Sequence, residues 1–301
     1  MDTGNQTAQH ALIKMTAEEF DKFRNLVYTG THIFCPDSQK SLFERKIWGC
    51  LAALHVSSFQ EYYTRITESQ EGDQEFTRLI DAIAVHETAF FRISGHFTAL
   101  ETWVLPEFFQ PPQTGTHRAD IRIWSAGCST GEEPYSIAIA FLETLAQRGL
   151  RASETRGLRI LATDISPSII AKAQAGMYSP AKVQKIPPPL LDKYFEYHHH
   201  QYYITAPVKR LVQFQVFNLI NIETSPAPEF DLIFCRNLLI YFDRVAQKRL
   251  ITGLTRVLTD GGYLFLGDAE SLYPFPEATE RFAFVESGDA IFYKKRGVQT
   301  Q

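Results

Sequence analysis

Cysteine is scarce in this chain of 301 residues: Cys35, Cys50, Cys128 and Cys235 are the only four. No two stand in a C-x-x-C spacing, so a disulfide framework or a zinc ribbon is not expected, and reduced thiols are the default. Long apolar runs are missing too. None reaches the roughly 18 residues that a membrane-spanning helix requires. The polar opening stretch 1–14 holds no apolar core of a secretory signal, so the expected location is the cytoplasm. Charge of one sign is not in excess, with 30 Lys and Arg against 34 Asp and Glu. A net charge of −4 gives no electrostatic footprint for nucleic acid. The dinucleotide fingerprint G-x-G-x-x-G is also absent, which disfavours a nicotinamide-dependent oxidoreductase.

What is present is an ordinary globular balance, 45% hydrophobic and 21% charged, with 23 Phe and 13 Tyr to fill a core. The charge is uneven: residues 1–110 hold 9 Lys and Arg against 15 Asp and Glu, and the rest hold 21 against 19. The first third is therefore acidic.

Residues 1–15 read as a flexible tail. Thr16 and Glu19 form a T-x-x-E capping box, followed by Phe20, Phe23, Leu26 and Val27 at helical spacing. The same periodicity predicts helices near 39–54, 57–70 and 73–86, so 16–93 is expected to be a helical subdomain. A helix over 95–109 runs into the breaker Gln110-Pro111-Pro112-Gln113-Thr114-Gly115, making 94–115 a linker. From 116 to 296 strands alternate with helices: strands at 121–124, 158–163, 230–235 and 262–266, helices at 132–148, 167–175 and 244–258. That alternation predicts an α/β fold with a parallel, doubly wound sheet. Two last strands near 281–286 and 290–294 form a hairpin. Runs 197–205 and 211–217, joined by a short connection through Ala206-Pro207-Val208, read as a small antiparallel β insertion over 197–217.

The segment Trp124-Ser-Ala-Gly127-Cys-Ser-Thr-Gly131-Glu132-Glu133-Pro134-Tyr135 takes a strand through a small-residue loop into a helix. Ligands of doubly wound folds sit at such loops, and glycine lets backbone approach them closely. Two glutamates at the helix start would repel phosphate and favour a cation. They also suit the helix dipole with no ligand at all. Asp164, ending the next strand, can accept hydrogen bonds from ribose hydroxyls or cap the helix near Ser166. S-adenosylmethionine, with an ammonium, a sulfonium and no phosphate, fits this donor set. Cys128 and Cys235 read as packing. His198-His199-His200, taken as extended strand, would point to alternate faces and converge poorly on one ion, so no metal is expected.

Together the motifs resemble the chemotaxis receptor methyltransferase (CheR-type) family of protein-glutamate O-methyltransferases. They are His86-Glu-Thr88-Ala-Phe-Phe-Arg92, WSAGCSTGEEPYS at 124–136, ATDIS at 162–166, Phe217-Asn218-Leu219, and FDLIFCRNLLIYFD at 230–243. The resemblance spans about 16–294. It implies a Rossmann-like methyltransferase domain behind an all-helical N-terminal subdomain, with S-adenosylmethionine as cofactor and S-adenosylhomocysteine as product. It implies cofactor contacts at His86, Thr88, Arg92, Glu133, Asp164, Asn218, Leu219, Arg236 and Asn237, and places Arg92 and Tyr241 at the methyl-transfer site. The implied substrate is the glutamate side chains on the cytoplasmic helices of a chemoreceptor. Same-fold alternatives are methylation of another protein or a small acid, or a non-catalytic cofactor-binding signalling module.

Three features depart from the family pattern. His86 stands where well-studied members carry asparagine. Enteric members have an arginine-rich second helix that recognises acidic receptor helices, whereas here the stretch Leu42–Leu51 has only Arg45 and Lys46 as basic residues. The insertion lacks the glycine-bearing loop that grips a receptor's C-terminal peptide, so peptide tethering is not expected.

Overall fold

A computed structural model describes residues 14–109, 120–150, 157–224 and 229–297. Residues 1–13 of the expected tail and the breaker 110–115 lie outside them. The chain divides into two compact units. One comprises residues up to Val85 together with Ser166–Ser168 and Tyr241–Ala246, and the other the remainder from His86.

The first unit is built on four helices, α1 (Ala17–Thr31), α2 (Lys40–Leu54), α3 (Phe59–Glu68) and α4 (Gly72–Ile83). The capping box forms: Glu19 N donates to Thr16 Oγ1 at 3.1 Å, and Thr16 N donates to Glu19 Oε2 at 2.8 Å. Such a cap is worth about 1 kcal/mol. Phe20, Phe23 and Val27 bury one stripe of α1 against Phe43, Ile47 and Leu51 of α2 and Phe59, Tyr62 and Ile66 of α3. Phe23 stacks on Tyr62 at 5.9 Å and meets Phe59 edge-on. Lys46 is half-buried, and its ammonium donates to the carbonyls of Ile83 and Ala84 at 2.6 and 3.3 Å. It thereby satisfies orphan carbonyls at the end of α4. The late segment Tyr241–Ala246 is pinned to this unit. Phe34 N donates to Tyr241 O at 2.8 Å, Ile33 bridges Phe242, and the Tyr28 hydroxyl donates to Asp243 Oδ2 at 2.6 Å.

The second unit carries a seven-stranded sheet. Its strands are β1 (Asp120–Ala126), β2 (Gly157–Asp164), β6 (Val212–Val216), β7 (Phe230–Cys235), β8 (Leu258–Leu266), β9 (Phe282–Ser287) and β10 (Ala290–Lys295). The order is β6-β2-β1-β7-β8-β10-β9. Strands β6, β2, β1, β7 and β8 run parallel, while β10 pairs antiparallel with both β8 and β9. From β1 the chain goes to β2 and β6 on one side and returns to β7 and β8 on the other. The strand order thus reverses between β1 and β7, where doubly wound folds open a ligand crevice at the carboxyl ends. Helix α5 (Ser94–Ala99) continues through a π turn at Leu100–Val104. Helix α6 (Glu132–Gln147) follows β1, α7 (Pro167–Ala175) follows β2, and α8 (Arg244–Val257) leads into β8. All six residues of β7 are buried, as a central parallel strand covered on both faces must be. Phe234, Phe265 and Phe292 stack across β7, β8 and β10 with centroids 4.7 and 4.8 Å apart.

The insertion differs from the sequence expectation. Its sheet is three-stranded, β3 (Met177–Tyr178), β4 (Phe195–His198) and β5 (Gln201–Ile204), in the order β3-β5-β4. His199 and His200, at φ 47° and 61°, make the two-residue turn between β4 and β5. They are not extended, and both central residues of such a turn need positive φ to match the strand twist. Ala206–Lys209 is a helical turn with Pro207 in its first turn, and the run after it joins the main sheet parallel to β2. Two alternating runs with a short connection look alike in sequence whether they pair with each other or with different sheets.

Candidate active site

The tip of β1 sets the first part of the site. Gly127 N and Cys128 N both donate to Thr163 O at 2.8 Å, folding the loop back on β2. Gly127, Ser129 and Gly131 all have positive φ (75°, 49° and 92°). The glycines serve protein packing: a Cβ on Gly127 would stand 2.4 Å from the Leu238 side chain, and one on Gly131 3.0 Å from Ala173. Close backbone approach to a ligand, expected from the sequence, is therefore not their only use. Turned this way, Ser129 N donates to Asp164 Oδ2 at 3.0 Å. Asp164 is only 8% exposed, so its carboxylate is aimed by the loop of the neighbouring strand. Phe217 N donates to Asp164 O at 2.9 Å, placing the Asn218–Leu219 turn at the same edge.

The two glutamates opening α6 part company. Glu132 is fully buried; Thr130 Oγ1 donates to it at 2.6 Å, and the Lys182 ammonium pairs with it at 3.0 Å. Lys182 also donates to Thr88 O at 3.2 Å. Glu132 is thus a structural acid that anchors the Thr88 segment and the insertion. Glu133 accepts a hydrogen bond from Ser125 Oγ at 2.7 Å and pairs with Arg236 at 3.3 Å. Burial pushes its carboxyl above the usual range, while Arg236 and the Ser125 hydroxyl pull the other way.

Arg236, at the tip of β7, is 6% exposed. One guanidinium nitrogen meets Glu133 and another donates to Arg92 O. The group also lies 5.7 Å from the Phe97 ring centroid and 5.9 Å from that of Phe234. Burial lowers its proton affinity, opposed by Glu133. Arg236 therefore ties β7, the first turn of α6 and the 86–93 segment together. Within that segment Phe91 and Ile93 have positive φ (52° and 60°). Phe91 N donates to Ser136 Oγ at 3.0 Å, and the Arg92 guanidinium donates to Glu87 O at 2.9 Å. His86, half-buried, accepts a hydrogen bond from Ser129 Oγ through its carbonyl at 2.9 Å.

The sequence-predicted residues His86, Thr88, Arg92, Glu133, Asp164, Asn218, Leu219, Arg236 and Asn237 all fall in the second unit. Tyr241, last residue of the turn Leu239–Tyr241, is grouped with the first. Four partners escaped the sequence reading: Ser125, Ser129, Lys182 and Glu270. Ser125 and Ser129 lay inside a quoted motif, but which serine binds which carboxylate depends on loop geometry. Nothing in the sequence singles out Lys182 or Glu270. Cys128 and Cys235 are buried, and burial pushes both thiols well up. They are packing groups, not nucleophiles. Among the described residues no group of three His, Cys, Asp or Glu could hold a metal ion, and no helix is long and apolar enough to cross a membrane.

A doubly wound sheet with carboxylates at the tips of β1 and β2, and no phosphate-binding fingerprint, defines the class of S-adenosylmethionine-dependent methyltransferases. The family model described as "CheR methyltransferase, SAM binding domain" matches residues 86–290, and "CheR methyltransferase, all-alpha domain" matches 18–84. The chain belongs to the CheR methyltransferase family. It is 32% identical over 269 residues to a chemotaxis protein methyltransferase of Borreliella burgdorferi, covering 89% of this chain and 93% of that one. It is 34% identical over 264 residues to chemotaxis protein methyltransferase 2 of Vibrio cholerae, covering 86% and 88%. With chemotaxis protein methyltransferase 2 of Pseudomonas aeruginosa the figure is 33% over 260 residues, covering 85% and 87%.

Proposed function

We propose that this enzyme methylates glutamate side-chain carboxylates on the cytoplasmic helices of a chemoreceptor, working in the cytoplasm and forming methyl esters. The observation that carries the reading is the paired carboxylates Glu133 and Asp164, each oriented by a serine of the β1 strand or loop. Relatives named as chemotaxis methyltransferases support the acceptor.

The donor set suits S-adenosylmethionine. Glu133 would face its positive charge, Asp164 would accept from the ribose hydroxyls, and Asn218 and Leu219 would line the adenine side. His86, Thr88, Arg236 and Asn237 would complete the pocket. When bound, the cofactor supplies an electrophilic methyl group. A glutamate acceptor, with a pKa of about 4.3, is already ionised at neutral pH and needs no general base. The chain's task is to orient that anion and exclude water. By motif, Arg92 or Tyr241 would hold the acceptor carboxylate. Tyr241→Phe should lower kcat/KM while leaving S-adenosylhomocysteine affinity intact.

The test is transfer of labelled methyl from the cofactor to membranes of the source cell. Alkali-labile label on receptor glutamates is expected; label that resists alkali, or none with active enzyme, overturns the reading. One observation favours the same chemistry on a different protein or a small acid. Of the three basic residues in α2, Lys46 is occupied at the end of α4 and Lys40 is half-buried, leaving Arg45 exposed.

A further inference from the structure

One carboxylate near the site has no part in the reading above. Glu270 follows β8 in the turn Gly267-Asp268-Ala269-Glu270 and is half-buried. Its Oε2 accepts from Gly267 N and from Asn237 N, both at 2.7 Å. Its Oε1 accepts from Leu239 N at 2.6 Å. Closing the β8 turn accounts for the Gly267 bond alone. The other two donors sit 33 and 31 residues away in the loop after β7. All three are charge-assisted bonds from main-chain amides, the strong kind.

The loop they hold needs holding. Asn237 sits at φ 57°, a left-handed conformation that asparagine adopts more readily than other side-chain-bearing residues but that the extended backbone of a loop does not select on its own. The two loops also press together: a Cβ on Gly267 would lie 2.8 Å from Asn237 N, from Asn237 Nδ2 and from Glu270 Oε2. A side chain there would break the arrangement.

We infer that Glu270 is a positioning residue for methyl transfer, a clamp between the tips of β7 and β8 that fixes the loop presenting Arg236 and Asn237. The inference rests on the reading of those two as pocket residues. Glu270 itself touches neither cofactor nor acceptor; it acts by denying the loop other conformations.

The experiment uses the full chain and the Glu270→Gln variant. Glutamine keeps the size, but one of its two polar atoms is an amide nitrogen that cannot accept from a main-chain N–H. S-adenosylhomocysteine affinity by calorimetry should fall about tenfold, as expected for loss of about 1.4 kcal/mol of pocket pre-organisation. Amide exchange should accelerate at Asn237 and Leu239 and stay unchanged along β1 and β2. Glu270→Asp, which keeps the charge, should recover part of the affinity. Unchanged affinity in folded Glu270→Gln overturns the inference, and so does faster exchange spread evenly over the sheet. Should that variant not fold, the unsubstituted chain decides: Asn237 and Leu239 amides exchanging as fast as those of exposed Asp268 and Ala269 sink it. If the unsubstituted chain does not bind S-adenosylhomocysteine, the pocket assignment fails, and the exchange pattern still judges the clamp.

Discussion

Glu132 and Glu133 are chemically identical neighbours with opposite fates. Adjacent residues on a helix point about 100° apart, so one turns inward to Lys182 and the other to Arg236. Helical spacing alone shows that an acid opens α6 but not which one faces the crevice; the family motif singles out Glu133, and Lys182, 50 residues on, holds Glu132 away. Glu133→Gln would leave the buried Arg236 guanidinium without its counter-charge. The expected cost is on the order of 3 kcal/mol in urea unfolding, together with weaker S-adenosylhomocysteine binding. An unchanged unfolding midpoint would show that the pair contributes nothing. His96 offers a separate titration. It is 2% exposed, packs 5.2 Å from the Phe265 ring, and burial, with Arg236 nearby, pushes its pKa down to about 4. The unfolded chain, with a His pKa of about 6.5, binds the proton first as pH falls. Its contribution is thus fully present above about 6.5 and is lost on the way down to about 4. The stake is about 3 kcal/mol. Unfolding at pH 7 and pH 4.5 should show a smaller acid loss in His96→Phe than in the unsubstituted chain.

Long, strongly periodic elements were legible. The helix 167–175 and the strand 230–235 fall where apolar spacing puts them, because burial on one or both faces imposes the pattern directly. Tertiary pairing was not legible. Met177–Tyr178 is too short to show alternation, and nothing local tells Val212–Val216 that its partner is β2. The turn at His199 and His200 was hidden because histidine is no marker of positive φ. That same mismatch yields an expectation: His199→Asn with His200→Gly suits both positions and should raise Tm by about 2–4 °C, for roughly 1 kcal/mol of relieved strain. An unchanged or lower Tm in a scanning experiment would mean the imidazoles contribute contacts that outweigh the backbone strain. At the site, the strand tips were readable from motif order, whereas Ser129, Lys182 and Glu270, which help aim them, act across 31 residues or more.

Charge acts on the scale of the molecule. The first 110 residues are acidic, and of the three α2 bases, Lys40, Arg45 and Lys46, the last is taken up in capping α4. An acidic acceptor helix would therefore be repelled during encounter rather than steered in. Salt screens such repulsion. Raising ionic strength from about 50 to about 200 mM should leave kcat/KM for the acceptor unchanged or increase it. A steep fall would reveal a basic docking face elsewhere. The pinning of Tyr241–Ala246 by Tyr28, Ile33 and Phe34 also bears on how the chain can be cut. A fragment starting at His86, although one family model covers its residues 86–290, would strip that segment of its strand partner and Asp243 of its phenol donor. Chimaeras that exchange the helical part between relatives would meet the same obstacle unless residues 28–34 and 241–246 travelled together.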